Sequence, residues 1–142
     1  MLKIVIDTNV LVSALLKDRS LPAFILALIR RRQVVLCLSK EIFAEYEGVL
    51  NRDKFGLIRK EVGQLLANLK KEALWVVPKE RIDMILQDPE DNKFLECAYE
   101  AEADFLITGN TKHFPFKKFR GIEVVSPREF IEGTLKAIIT TG

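Results

Sequence analysis

A chain of 142 residues that is 49% hydrophobic and 30% charged can form one domain around a sizeable core. Its formal net charge of +2 does not single out a nucleic-acid binder, and no apolar run reaches the roughly 20 residues that cross a bilayer. The charge at Lys3 interrupts the first apolar run, so we expect no signal peptide. The two cysteines, Cys37 and Cys97, lie in apolar runs and are typical of reduced, buried thiols. We therefore expect a single cytoplasmic domain over residues 1–142.

Short apolar runs alternate with amphipathic segments along the chain. The apolar runs predict strands at residues 2–6, 34–38, 74–77, 105–108 and 122–125. Helical periodicity and capping residues predict helices at residues 10–16, 22–32, 40–50, 58–71, 79–86 and 88–101, with a last helix after Ser126. Short, continuously apolar strands between helices indicate a parallel sheet buried on both faces, and hence a three-layer α/β/α fold with about five strands.

Polar residues lie at or directly after the ends of several predicted strands. Asp7-Thr8-Asn9 comes after the first strand, Ser39 after the second and Thr108-Gly109-Asn110 after the fourth. In open α/β sheets ligands bind beyond the carboxyl ends of the strands, so these residues are candidate site residues. Thr8 and Ser39 can orient metal-bound water or cap helices, and the sequence leaves both roles open.

Three acids stand where either a metal or a helix cap would need them. Asp7 ends a buried strand, where a carboxylate costs desolvation unless a metal or backbone amides compensate it, and it can also cap the next helix. Glu45 borders the apolar stripe of its helix, which suits either a reach over the sheet edge or a surface acid. Asp91 occupies the third helical position, where an acid also suits the helix dipole and a capping box like that of Ser126-Pro127-Arg128-Glu129.

Carboxylates and small oxygen donors gathered at one sheet edge are the ligands that Mg²⁺ and Mn²⁺ prefer. Such ions lower the pKa of a bound water, aim it at phosphorus and neutralise charge on the leaving oxygen. The pattern therefore predicts metal-dependent phosphodiester hydrolysis. Asp104 lies at the opposite end of the fourth predicted strand, roughly 10 Å or more from Asn110, and is interpreted as structural.

At these residues the chain resembles the PIN-domain family and, within it, the toxin components of toxin–antitoxin pairs (VapC-like proteins). The stretches that carry the resemblance are IVIDTNVLVSALL at 4–16, LSKEIFAEYEGVLNRDKF at 38–55, DPEDNKFLECAYEAEADFLITGN at 88–110 and VVSPREF at 124–130. The resemblance implies a three-layer α/β/α fold and cleavage of RNA that depends on Mg²⁺ or Mn²⁺. By position it assigns the catalytic and metal-binding roles to Asp7, Glu45 and Asp91, with an antitoxin protein and a second subunit as partners.

Asn110 departs from the pattern of this family, which often has an aspartate two residues after the threonine of the fourth strand. The amide oxygen of Asn110 can still bind a metal or its water, but it brings no negative charge. We therefore expect one tightly held ion. A second ion would be weakened, unless Asp88 compensates.

A basic and aromatic segment follows Asn110 and carries the candidate RNA-binding residues Lys112, His113, Lys117 and Lys118. Cationic side chains can bind phosphates and phenylalanines can stack on bases. The alternative is a packed surface loop with solvated lysines. His113 can act as an acid or base, but a single histidine without a partner is more often incidental.

Two other functions compete with the nuclease. A phospho-accepting receiver module also places acids at strand ends around Mg²⁺, but it needs an aspartate after the third strand, where this chain has Pro78-Lys79. A catalytically weakened PIN-like module that binds RNA or a partner is the other alternative, and Asn110 favours it. The apolar residues at 57–69 and 135–139 are candidate partner surfaces or ordinary core.

Overall fold

The computed structural model describes residues 1–85 and 88–141, with side chains up to residue 134. Within this part of the chain, six strands form one sheet: β1 (Lys3–Ile6), β2 (Val35–Leu38), β3 (Leu74–Trp75), β4 (Phe105–Ile107), β5 (Lys118–Phe119) and β6 (Ile122–Val125). Their order is β3-β2-β1-β4-β6-β5, and neighbouring strands are parallel except β5, which is antiparallel to β6. The five parallel strands confirm the predicted α/β sheet, whereas the two-residue edge strand β5 was not predicted.

The described part of the chain contains six α-helices: α1 (Thr8–Leu16), α2 (Leu21–Arg30), α3 (Lys40–Leu50), α4 (Arg59–Glu72), α5 (Asn92–Ala101) and α6 (Pro127–Thr141). Short 3₁₀ turns cover Asp53–Phe55, Pro89–Asp91 and Thr111–His113.

The helix predicted at residues 79–86 is wrong over residues 79–85, which are irregular, and residue 86 lies outside the described residues. The reason is a competition for backbone N–H groups. The amide of Ile82 donates to Glu96 at 3.0 Å, and the amides of Met84 and Ile85 donate to Oδ1 of Asn92 at 3.0 and 2.9 Å. These donors are bound to side chains of α5, so they are not available for a helix of their own.

The central strands are buried on both faces. Ile4, Val5 and Ile6 in β1 are exposed by 1% or less, although successive side chains of a strand point to opposite faces. Helices must therefore cover both sides of the sheet, which is the expected three-layer arrangement. Val62, Leu65, Leu66 and Leu69 of α4 belong to this core, so ordinary packing accounts for most of the apolar stripe at 57–69. The side chains at 135–139 lie outside the described residues.

The two cysteines confirm the prediction of buried free thiols. Burial raises the pKa of Cys37 to about 11 and also raises that of Cys97, so both thiols stay protonated at neutral pH. Among the described helices, none is long and apolar enough to cross a membrane.

Two hydrogen bonds position helix α3: one caps its first turn and the other joins it to the end of β1. Ser39 caps the helix, which is one of the two roles expected for it, since its Oγ accepts a hydrogen bond from the amide of Ile42 at 3.3 Å. Tyr46 is fully buried, and its hydroxyl donates to the carbonyl of Ile6 at 2.5 Å. Ile6 is the last residue of β1, so this bond ties the middle of α3 to the strand end that leads into Asp7.

Candidate active site at the carboxyl edge of the sheet

Buried polar residues mark the candidate site. In the described part of the chain, the polar or charged residues that are buried are Asp7, Thr8, Ser39, Asp91, Asn92 and Thr108. Each directly follows a parallel strand or lies where a helix begins. Since burial of a polar group costs free energy unless it is bonded, their collection at helix starts and strand ends indicates a site. Asn92 is the one member that the sequence analysis did not propose.

Asp7 is held at the point where the order of the strands reverses. It follows β1, and its backbone amide donates to the carbonyl of Ile107 in the neighbouring strand β4 at 2.9 Å. Its carboxylate accepts from the hydroxyl of Thr108 at 2.8 Å and from the amide of Asn9 at 3.4 Å. Asp7 is thus the N-cap of α1 and also part of a buried hydrogen-bonded pair. The side of an α/β sheet at such a reversal is where ligands bind.

Glu45 turns from α3 toward Asp7. Its Oε2 accepts a hydrogen bond from the hydroxyl of Thr8, the residue next to Asp7. Its Oε1 lies 2.7 Å from Nζ of Lys93, and 26% of the Glu45 side chain is exposed. Both oxygens are therefore engaged inside the cluster.

Asp91 reaches the same edge from the 3₁₀ turn that precedes α5. Asp91 is only 9% exposed, and its side chain makes no capping hydrogen bond. The pair Ser126 and Glu129 does form the predicted capping box, with the two reciprocal bonds at 3.1 and 2.9 Å. The two similar sequence patterns thus have different outcomes, and a capping role does not account for Asp91.

The acids of this cluster lie close enough for the charge of one to shift the pKa of another. Burial raises the pKa of Asp91 to about 7, and the charges of Asp7, Asp88 and Glu45 add to the shift while Lys93 opposes it. Burial also raises the pKa of Asp7, the hydrogen bond from Thr108 lowers it, and the charge of Glu45 raises it again. The negative charge of this cluster is therefore only partly compensated by the protein's own groups.

Lys93 is a site residue that sequence reasoning missed. It lies on the first turn of α5, and its side chain is only 15% exposed beside Glu45. The one local signal was its position two residues after Asp91, and nothing in that spacing points to a glutamate on another helix.

The other predicted residues are placed around this cluster. Asn110 is half-buried, and its backbone N–H donates to Oγ1 of Thr108 at 3.0 Å, so it is linked to Asp7 through the Thr108 side chain. Asn9 has an exposed side chain and contributes its backbone to Asp7. Ser39 is fully buried, and its described side-chain bond is the cap of α3.

The basic segment lies beside the site, directly after Asn110. A cavity of about 550 Å³ is lined here by Thr111, Lys112, Phe114, Pro115, Phe116, Lys117, Val124 and Glu129. Lys112, Lys117 and Lys118 are exposed, while His113 is half-buried. The Nδ1 atom of His113 is buried and has no hydrogen-bond partner among the described residues. The segment thus combines exposed cations, aromatic rings and a concave surface.

Comparison with known proteins decides the family. A family model described as a PIN domain matches residues 3–112. The chain belongs to the PIN-domain family. An uncharacterized protein of Methanocaldococcus jannaschii is 30% identical over 146 residues, which cover 92% of this chain and 90% of that protein. PIN domains are generally nucleases. The matched range contains Asp7, Glu45, Asp91 and Asn110, and it ends at Lys112, where the basic segment begins.

PIN-domain nucleases typically use divalent metal ions, and the donors of this PIN domain suit such an ion. Asp7, Glu45 and Asp91 supply only oxygen atoms, and their mutual repulsion favours a cation. Among the described residues no three Asp, Glu, His or Cys side chains stand at the spacing that would ligate one ion together. Mg²⁺ is commonly bound through one or two carboxylates and several waters, so Asp7 and Asp91 would hold it while Glu45 stays paired with Lys93.

Proposed function

We propose that this PIN domain is a ribonuclease that depends on Mg²⁺ or Mn²⁺ and hydrolyses RNA phosphodiester bonds. One observation carries the proposal. Carboxylates from three separate elements, Asp7 after β1, Glu45 on α3 and Asp91 before α5, gather at one buried sheet edge, where burial and the charges of Asp7 and Glu45 raise the pKa of Asp91. Such a cluster costs stability unless a cation compensates it, and a carboxylate-held divalent ion is the usual agent of phosphodiester hydrolysis.

In this proposal the catalytic residues Asp7, Glu45 and Asp91 have distinct surroundings that suit distinct roles. Asp7 is oriented by Thr108 and by the amide of Asn9, and Asp91 is the most strongly shifted acid, so both are ion-holding groups. The ion, when bound, supplies an activated water and neutralises charge on the leaving oxygen. Glu45 accepts a hydrogen bond from the hydroxyl of Thr8, the residue next to Asp7.

The basic segment supports RNA as the substrate. Lys112 and Lys117 border the cavity together with Phe114 and Phe116, and cations beside aromatic rings suit phosphates next to stacked bases. In the same segment Lys118 is exposed and His113 is half-buried, and we include both among the RNA-binding residues. Cations at this edge would also offset repulsion between RNA and the acid cluster.

The proposal is tested with two glutamates of one helix. Single-stranded RNA is incubated with Mn²⁺ and the wild-type protein, Glu45→Gln or Glu47→Gln. Glu47 is exposed, so its variant makes the same charge change on α3 away from the cluster. We expect Glu45→Gln to cleave at least ~100-fold more slowly and Glu47→Gln to cleave like the wild type. Equal inactivity of all three proteins on varied RNAs would contradict the enzyme proposal.

Asn110 favours a second candidate, a catalytically weakened module that binds RNA or a protein partner. This residue lies beside Thr108 and contributes no charge where the family often has an acid. The weakened module predicts RNA binding by the wild type without cleavage, and it predicts that Asn110→Asp raises cleavage. RNA binding without cleavage in both proteins would contradict a role of the missing charge at residue 110 and would leave a binding module without nuclease activity.

We also propose a biological setting, a cytoplasmic toxin that pairs with an antitoxin protein and forms a homodimer. The sequence resemblance supports this setting, and exposed apolar side chains such as Leu16, Phe24 and Ile58 are available for partners. Expression of the wild-type protein should arrest growth, whereas Glu45→Gln should not. Normal growth with the wild-type protein at a matched level would contradict the toxin role.

A further inference from the structure

Lys93 brings a positive charge into the acid cluster. Its Nζ lies 2.7 Å from Oε1 of Glu45, and the exposed fractions of the two side chains are 15% and 26%. A second contact, at 3.5 Å to Glu90, involves a carboxylate that is 84% exposed. The exposed contact contributes little because solvent screens it, so the partly buried pair with Glu45 determines where the ammonium lies.

The pair with Glu45 occupies an oxygen that would otherwise face a metal ion. The other oxygen of Glu45 accepts from the Thr8 hydroxyl, so both oxygens already have a partner with which an ion would compete while Lys93 is in place. This engagement agrees with the finding that no three acidic, histidine or cysteine side chains converge at ligating distance among the described residues.

We infer that the Lys93 ammonium is a built-in cation that competes with the divalent ion for Glu45 and thereby limits how tightly the site holds metal. The inference rests on the proposed function, since it concerns the ion of the same site. Three carboxylates attract a divalent ion more strongly than two carboxylates and a salt bridge, and a nearby ammonium also repels the ion directly. With Lys93 present the site should therefore bind a divalent ion less tightly than the same carboxylates would without it.

The test measures Mn²⁺ binding by calorimetry in the wild-type protein, Lys93→Met, Lys93→Arg and Lys60→Met. Lys60 is exposed on α4, so its variant makes the same change of net charge at the surface. We expect Lys93→Met to bind Mn²⁺ at least about tenfold more tightly. Lys93→Arg, which keeps the charge, and Lys60→Met should stay within about threefold of the wild type. Unchanged or weaker binding by a folded Lys93→Met would overturn the inference.

A double-mutant cycle shows whether Lys93 acts through Glu45. In a Glu45→Gln protein, Lys93→Met should change the Mn²⁺ affinity by about threefold or less, because the competition has already been removed. An equally large gain in both backgrounds would overturn the competition for Glu45. Circular dichroism of each variant checks the fold, and Lys93→Gln replaces Lys93→Met if that variant does not fold.

Parallel RNA cleavage separates failure of this inference from failure of the proposed function. If the wild type cleaves RNA with Mn²⁺ but Lys93→Met binds the ion no more tightly, the inference is wrong and the nuclease stands. If Lys93→Met binds Mn²⁺ more tightly but none of the proteins cleaves RNA, the competition stands and the nuclease is wrong. If none of the proteins binds Mn²⁺, both are overturned.

Discussion

Two aspartates at opposite ends of the same pair of strands have very different surroundings. Asp104 precedes β4 at the amino edge of the sheet, is exposed, and accepts a hydrogen bond from the backbone amide of Lys3 at 2.9 Å. Asp7 follows β1 at the carboxyl edge and is only 4% exposed. The residue type is the same, and the strands that carry the residues are neighbours.

Burial and neighbouring charge make the difference between the two edges. Solvent and the amide of Lys3 compensate the charge of Asp104, so it fits a structural role. Asp7 is shielded from solvent, which raises its pKa, and the charge of Glu45 raises it further. The carboxyl edge of the sheet thus differs from the amino edge because it gathers acids that are shielded from solvent.

The largest expected difference between the edges is catalytic. Asp7→Asn should reduce Mn²⁺-dependent RNA cleavage by at least ~100-fold, because the change removes a charge that would hold the ion. Asp104→Asn should leave cleavage within about threefold of the wild type. Initial rates on one RNA at a fixed Mn²⁺ concentration measure both variants. Equal losses from the two substitutions would remove the functional distinction between the edges.

A smaller difference should appear in the pH dependence of stability without metal. The folded state keeps the proton of Asp91 up to about pH 7, whereas the unfolded chain releases it near the ordinary value of 3.8. Between these values the folded state binds more protons, so this group's contribution to stability is fully present below about pH 4 and is lost as the pH rises through 7.

The variant Asp91→Asn isolates that contribution. Urea unfolding in EDTA at pH 5 and pH 8 should show a larger loss of unfolding free energy in the wild type than in Asp91→Asn, since an amide does not titrate. Asp104→Asn should keep the wild-type dependence. If the free energy of unfolding changed equally in the wild type and in Asp91→Asn between pH 5 and pH 8, Asp91 would not titrate in this range.

The smallest expected effect concerns the contact that positions α3. Tyr46→Phe removes the hydroxyl that binds the carbonyl of Ile6, and leaving that buried carbonyl unpaired should cost about 1–2 kcal/mol. Tyr99→Phe, at a side chain that is 39% exposed, should change stability by less than about 0.5 kcal/mol. Urea unfolding of both variants provides the comparison, and equal stabilities would mean that the Tyr46 bond does not hold the helix.

Most helices and strands could be predicted because their signals are local. The apolar run of β6 and the capping box of Ser126 and Glu129 depend on residues no more than a few positions apart. The failures had non-local causes. Residues 79–85 are irregular because Glu96 and Asn92 of α5 bind their amides, and β5 is two residues long and exists only through its pairing with β6.

The candidate site was also predictable only in part, again because some of its contacts are between distant elements. The sequence by itself determined that Asp7 and Thr108 share one edge, since parallel strands end on the same side of a sheet. Only the tertiary structure decided that Glu45 faces this edge and meets Lys93, and that Asp91 is buried with no capping bond. These outcomes depend on how α3 and α5 pack on the sheet, and packing of distant elements is governed by the fit of many side chains at once, which no short pattern of residues encodes.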